Sequence, residues 1–145
     1  MRVWFVPIEE LSDAHVLGQH RELHMLESMF LHPRFQTHPL VLFFIDKQEF
    51  IKDLHDRLVD ELFYRFGKTT PNLHKTEYRI IGSDPVPWVA LPTLVWFDMY
   101  DLKIRYDLAP WKFRWTKREM PSYITNNHVS FDIGSDLPPA YLNAE

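Results

Sequence analysis

The chain has 145 residues, 46% of them apolar and 15% aromatic, which suits one domain, residues 1–145, with a single core. It contains no cysteine, which excludes a disulfide framework, a thiolate metal site and a cysteine nucleophile, and it reads as an intracellular chain. The formal net charge of −4 argues against a generic nucleic-acid binder, and no run of about 18 apolar residues is present to cross a membrane.

Residues 1–6 are apolar apart from Arg2 and are long enough only for a short extended arm. Glu9, Glu10 and Asp13 interrupt any apolar region that a signal peptide would need. Ser12 or Asp13 can cap a helix running from about Asp13 to Leu31, where His32-Pro33 stops it. At about 100° per residue, Val16, Leu23, Leu26 and Phe30 share a core stripe. His15, Gly18, Glu22, Met25 and Met29 fall in a neighbouring sector, with Arg21 at its edge. Gly18 between His15 and Glu22 would let a backbone or a ligand approach closely.

Leu40 to Ile45 is an apolar run too short to classify by period. Asp46-Lys47-Gln48-Glu49 matches a capping box. It predicts a second helix with Ile51, Leu54, Leu58, Val59 and Leu62 at core spacing and Gly67 as its stop. Thr69 to Leu91 is punctuated by Pro71, Gly82, Pro85 and Pro87, and Tyr78 to Ile81 reads as a short extended piece. Pro92 opens a third helix, through Leu94, Val95, Phe97, Leu102 and Tyr106 to about Asp107, before Pro110 ends it. Trp111 to Lys117 alternates, so an extended segment puts Trp111, Phe113 and Trp115 on one face and Lys112 and Arg114 on the other. At least one of these aromatics is expected in the core. Residues 121–145 read as irregular. The expected fold is therefore mainly α, a compact domain of three principal helices with irregular connections.

Charge is unevenly spread. Between Lys103 and Met120, six basic residues face two acidic ones, a net +4 that leaves −8 for the rest of the chain. His20 and His24, four apart on the first helix, have zinc-ligand spacing. However, Glu22 lies roughly 160° around the helix from His20, so the three do not form a hydrolase motif. The other histidines show no clustering in sequence, and no metal or organic cofactor is implied. Met25 and Met29 read as packing residues.

Several of these residues carry a resemblance. Arg2, Glu10-Leu11, Asp13, His15 and Arg21-Glu22-Leu23 align without a gap to the processed form of phage endonuclease V, a pyrimidine-dimer DNA glycosylase with AP-lyase activity. Phe43-Phe44-Ile45-Asp46-Lys47-Gln48-Glu49-Phe50 is similar to a Phe-Phe-x-Asp-Lys-x-Glu-Phe run of that family, and Pro110-Trp111-Lys112-Phe113 is similar to its C-terminal aromatic segment. The chain departs from the pattern at the terminal residue, which is Met rather than Thr. It also has Met25 in place of a family arginine, and a net acidic charge. Because Arg2 is large, Met1 is expected to be retained, presenting a primary amine once deformylated.

The resemblance implies a repair glycosylase and AP lyase acting on pyrimidine dimers in double-stranded DNA, as a monomer in the cytoplasm of a bacterial cell, host- or virus-encoded. It implies Met1 as the nucleophile and Glu22 as the catalytic carboxylate. An α-amine titrates near 7.7–8.0, far below lysine, and Arg2 beside it would lower that further. The neutral amine can attack the sugar carbon and form an imine, while a carboxylate stabilises the positive charge that builds on the sugar. Arg2 and Arg21 are candidate phosphate contacts, with Lys103, Arg105, Trp111, Lys112, Arg114 and Lys117 as candidate DNA contacts by charge and stacking. His15 reads either as a site residue or as a half-buried packing histidine, and Arg21-Glu22, taken alone, as an ordinary exposed ion pair. The alternatives are a glycosylase for another lesion or modified base, and a non-catalytic DNA- or protein-binding relative of the same fold.

Overall fold

A computed structural model describes residues 2–67, 78–80 and 88–125. Met1, most of the stretch between the second and third predicted helices, and the tail from 126 lie outside these residues. Three long helices are present, α1 (Asp13–Leu31), α3 (Gln48–Phe66) and α4 (Pro92–Leu108), together with two short ones, α2 (Pro39–Phe44) and α5 (Ser122–Thr125). The mainly helical architecture with three principal helices is thus as expected, and no strand occurs among the described residues.

Ser12 caps α1, its Oγ accepting from the His15 N–H at 3.3 Å. At the other end, Pro33 cannot continue the helix, and the chain turns into a short 3-10 segment at Pro33–Phe35. The apolar run after it is α2, opened by Pro39 and capped by His38, whose ring nitrogen accepts from the Leu40 N–H at 3.1 Å. The capping box expected at Asp46 does not form. Three residues join α2 to α3, and Lys47 occupies the cap position. The Asp46 carboxylate stays in the turn and pairs with Lys47 Nζ at 2.9 Å. Gly67 ends α3 with a φ of 59°, a conformation that favours glycine.

Val16, Leu23, Leu26 and Phe30 of α1 are all buried, as are Ile51, Leu54, Leu58 and Leu62 of α3. Full burial of each such side chain contributes roughly 1.5–3 kcal/mol. Val59 is only half-buried, at the margin of the stripe. The arm contributes Val3, Trp4, Val6 and Ile8 to the same core. It is tied to α3 by Arg65, whose side chain is fully buried. Arg65 donates to the carbonyls of Leu11 (2.6 Å), Ile8 (3.1 Å) and Glu9 (3.2 Å), and pairs with Glu61 at 2.7 Å. Removing one partner of such a buried charge typically costs about 3–5 kcal/mol.

Past α4, the expected strand at Trp111 to Lys117 is replaced by a 3-10 turn at Pro110–Lys112 and an irregular extended stretch. The turn separates Trp111, which is 72% exposed, from buried Phe113 and half-buried Trp115. This stretch docks on the start of α1. The Asp13 N–H donates to the Arg114 carbonyl at 2.8 Å, and Trp115 Nε1 donates to the Glu10 carbonyl at 3.0 Å. The segment expected to be irregular from residue 121 opens instead with α5, which buries Tyr123 and Ile124.

Candidate active site

Residues 15, 18 and 22 fall within about 60° of one another on a helix. On α1 this places His15, Gly18 and Glu22 along one wall of a cleft of about 480 Å³, closed by Arg2 and Trp4 from the arm and by Arg105 from α4. The cleft brings together five of the residues singled out from sequence: Arg2, His15, Gly18, Glu22 and Arg105.

The arm is held in place from two sides. On α1, buried Gln19 pairs with both polar groups of the Trp4 backbone. The Trp4 N–H donates to Gln19 Oε1 at 2.6 Å, and Gln19 Nε2 donates to the Trp4 carbonyl at 3.0 Å. On α4, buried Asp98 accepts from the Phe5 N–H at 2.7 Å and pairs with the Arg2 guanidinium. Burial holds the Asp98 carboxyl above its ordinary range, although these two donors pull it down. Asp101 adds a second contact to Arg2 at 3.1 Å, and the guanidinium lies 4.1 Å from the Trp4 ring centroid. Arg2 therefore lines the cleft with its charge largely balanced by Asp98 and Asp101.

Glu22 is half-buried, and its Oε2 is buried without a hydrogen-bond partner among the described residues. An orphaned carboxylate oxygen is costly to keep and calls for a reason. His15 stacks on Phe113, with centroids 4.7 Å apart, and meets the Trp4 ring edge-on at 5.7 Å. Its Nδ1 lies 2.5 Å from Ser12 Oγ. Burial, reinforced by nearby Arg105, holds its pKa below the ordinary histidine value, so the neutral ring is favoured. At Gly18 a Cβ would meet nothing within 4 Å; the glycine opens directly onto the cleft.

The remaining sequence candidates lie elsewhere. Arg21 is exposed, does not line the cleft and makes no ion pair with Glu22, because successive helical residues point about 100° apart. Lys103 is corrected from a DNA contact to a buried anchor, its ammonium donating to Asp107 at 2.8 Å and to the Ile124 carbonyl at 3.0 Å. Arg105 pairs with Asp101 at 3.1 Å while remaining exposed at the cleft rim. Trp111, Lys112, Arg114 and Lys117 are exposed on the stretch that stacks Phe113 against His15. Met29 packs in the core, whereas Met25 is 47% exposed. Met1 lies outside the described residues.

Gln19, Asp98, Asp101 and Trp4 were not singled out from sequence. Gln19 had a signal: at about 100° per residue it falls inside the core stripe of α1, where a polar side chain must find a buried partner. A second grouping also departs from the sequence reading. His55 of α3 joins His20 and His24, with one ring nitrogen of each within 4.8 Å of the others. Helix packing, which periodicity does not report, produces that cluster.

A family model described as pyrimidine dimer DNA glycosylase matches residues 1–75. That is more than half of the chain, and the chain belongs to this family, a class of DNA-repair glycosylases. The matched stretch contains the arm, α1, α2 and α3, while Asp98, Asp101 and Arg105 of α4 lie outside it. No curated protein and no solved structure gives a match.

Proposed function

We propose that the protein, acting as a monomer on double-stranded DNA, removes damaged pyrimidines, pyrimidine dimers first among them, and then cleaves the strand at the abasic site. In this reading the α-amine of Met1 is the nucleophile. Its ordinary pKa of about 7.7–8.0 leaves roughly a tenth of it neutral at pH 7, and Asp98 and Asp101 offset the charge of Arg2 beside it. The neutral nitrogen bonds to the anomeric carbon as the glycosidic bond breaks, and the base leaves with that electron pair and takes up a proton. The nitrogen then passes one proton to the ring oxygen as the sugar ring opens to a protonated imine. Removal of a C2′ proton expels the 3′ phosphate, and water hydrolyses the imine. Glu22 stabilises the positive charge on the sugar and accepts the C2′ proton.

The observation that carries this reading is the Glu22 Oε2, without a partner among the described residues, in the same cleft as Arg2, the residue next to Met1. Exposed Arg105, Lys112, Arg114 and Lys117 supply phosphate contacts, and Trp111 a stacking surface. A damaged pair is cheaper to unstack than a sound one, which contributes selectivity. The test is incubation with dimer-containing and abasic duplexes in the presence of borohydride. A covalent adduct and strand cleavage are expected. No adduct from protein whose mass shows a free Met1 would contradict the proposal, and a panel of other lesions would then separate a different substrate from loss of catalysis.

A further inference from the structure

On the opposite side of α1 from Glu22, three imidazoles meet. His20 and His24 stand one turn apart on α1, and buried His55 reaches them from α3. The rings are close in every pairing, with centroids 4.7 Å apart for His20 and His24, 4.7 Å for His24 and His55, and 5.3 Å for His20 and His55.

Carboxylates stand behind two of the rings. His24 Nδ1 lies 3.3 Å from Glu27 Oε1, and His55 Nδ1 lies 3.0 Å from Asp56 Oδ1. A carboxylate only accepts, so each Nδ1 carries a proton, and in the neutral rings each Nε2 presents its lone pair. Those two Nε2 atoms face each other at 3.1 Å. In neutral rings those lone pairs repel at that distance, and a shared cation, either a proton or a metal ion, removes the conflict. A proton joins only two nitrogens, whereas a metal ion also engages the third ring nitrogen, which lies within 4.8 Å of both.

From this geometry we propose that His20, His24 and His55 form a site for a divalent first-row transition cation, zinc foremost, that clips α1 to α3. Imidazole suits zinc, and three protein ligands leave the fourth tetrahedral position to water or another donor. Zinc–nitrogen bonds of about 2.0–2.1 Å put tetrahedral ligand atoms roughly 3.3 Å apart. The 3.1 Å pair already meets this spacing, and the third ring closes on the ion by a small side-chain adjustment. Glu27 and Asp56 occupy the place usual for carboxylates that orient metal-bound histidines. Glu27 is itself fixed, accepting from the Arg79 N–H at 2.5 Å. The ion's role is structural: it joins two long helices across the core, away from the cleft, and stabilises the folded chain by mass action.

The full chain, free of any histidine tag, is stripped with chelator and dialysed against buffered zinc. One zinc per chain is expected, with a rise in melting temperature on the order of 10 °C at saturating metal. Cobalt in place of zinc is expected to give the intense visible bands of tetrahedral coordination. X-ray absorption on the zinc-loaded wild type should read imidazole nitrogens at about 2.0–2.1 Å, which decides the question even where a ligand variant fails to fold. The double variant His20→Ala/His24→Ala should lose stoichiometric binding, and Glu27→Gln should weaken it roughly 10–100-fold. Wild type that takes up no zinc, shows no thermal shift and gives no cobalt bands overturns the proposal in favour of a hydrogen-bonded histidine triad. Stoichiometric zinc that survives the double variant overturns it equally, because the metal then lies elsewhere.

Discussion

Gln19→Leu tests whether the arm is placed by one side chain. Leucine has nearly the volume of glutamine, so the substitution removes two hydrogen bonds and creates little cavity. The bonds lost are those to the Trp4 N–H (2.6 Å) and carbonyl (3.0 Å), and Trp4 is 6% exposed. Each buried backbone group left unpaired costs about 1–3 kcal/mol, so the pair costs about 2–6 kcal/mol if the arm stays docked. Opposing release is the burial of Val3, Trp4 and Val6, at roughly 1.5–3 kcal/mol each, together with the Asp98 contacts to Arg2 and Phe5. Burial outweighs the loss, so the arm remains docked, shifted toward water or an alternative donor. The expected result is a stability loss of about 2–6 kcal/mol by urea unfolding. A displacement of about 1 Å at the arm would also lower the borohydride-trapping rate by up to about 100-fold, measured well below the melting temperature. Gln19→Glu keeps the acceptor for the Trp4 N–H but sets a carboxylate against the Trp4 carbonyl, and it should recover as acid restores a donor. Wild-type stability together with wild-type trapping in Gln19→Leu would refute the account of how the arm is held.

Gly18→Ala should fold normally and gain up to about 1 kcal/mol in a helix interior, since a Cβ there meets nothing within 4 Å, while Gly18→Leu should fold yet weaken binding to abasic duplex; equal binding by both variants would show that DNA does not enter the cleft. Lys112→Ala/Arg114→Ala should flatten the slope of log affinity against log salt by about 1.8 if both side chains touch phosphate, whereas Lys103→Met should change stability and leave the slope alone; the reverse pattern would refute the assignment. Burial works to raise the Glu61 carboxyl, but hydrogen bonds from Arg118 and Arg65 outweigh it and hold the pKa below the ordinary value. Its stabilisation is therefore complete above about pH 4–5 and is lost as pH falls through the lowered pKa. Glu61→Gln should cost more at pH 6 than at pH 3 in urea unfolding, and a pH-independent cost would contradict the pairing.

The elements most legible in the sequence were those whose signal is local. Ser12 and His32-Pro33 bound α1, the stripe Val16, Leu23, Leu26 and Phe30 names its core face, and Gly67 ends α3. The same periodicity set His15, Gly18 and Glu22 on one wall, where the structure has them. What remained illegible depends on packing between elements. Asp98 reads as one of three acids on α4 until that helix lies beside the arm, and Lys103 reads as part of a basic patch until Asp107 and α5 enclose its ammonium. Asp46 satisfies a capping pattern, yet its carboxylate pairs with Lys47, which takes the cap position. His55 meets His24 only because α1 and α3 pack together.

The central claim is that the amine of Met1, and not a lysine, forms the covalent bond to the sugar. The most direct measurement is peptide mapping of the borohydride-trapped adduct with abasic DNA by tandem mass spectrometry, alongside protein acetylated selectively at its N-terminus. The account predicts that the sugar remnant maps to the α-nitrogen of Met1 and that the acetylated protein gives no adduct. A remnant on a lysine, or trapping undiminished after acetylation, would contradict it.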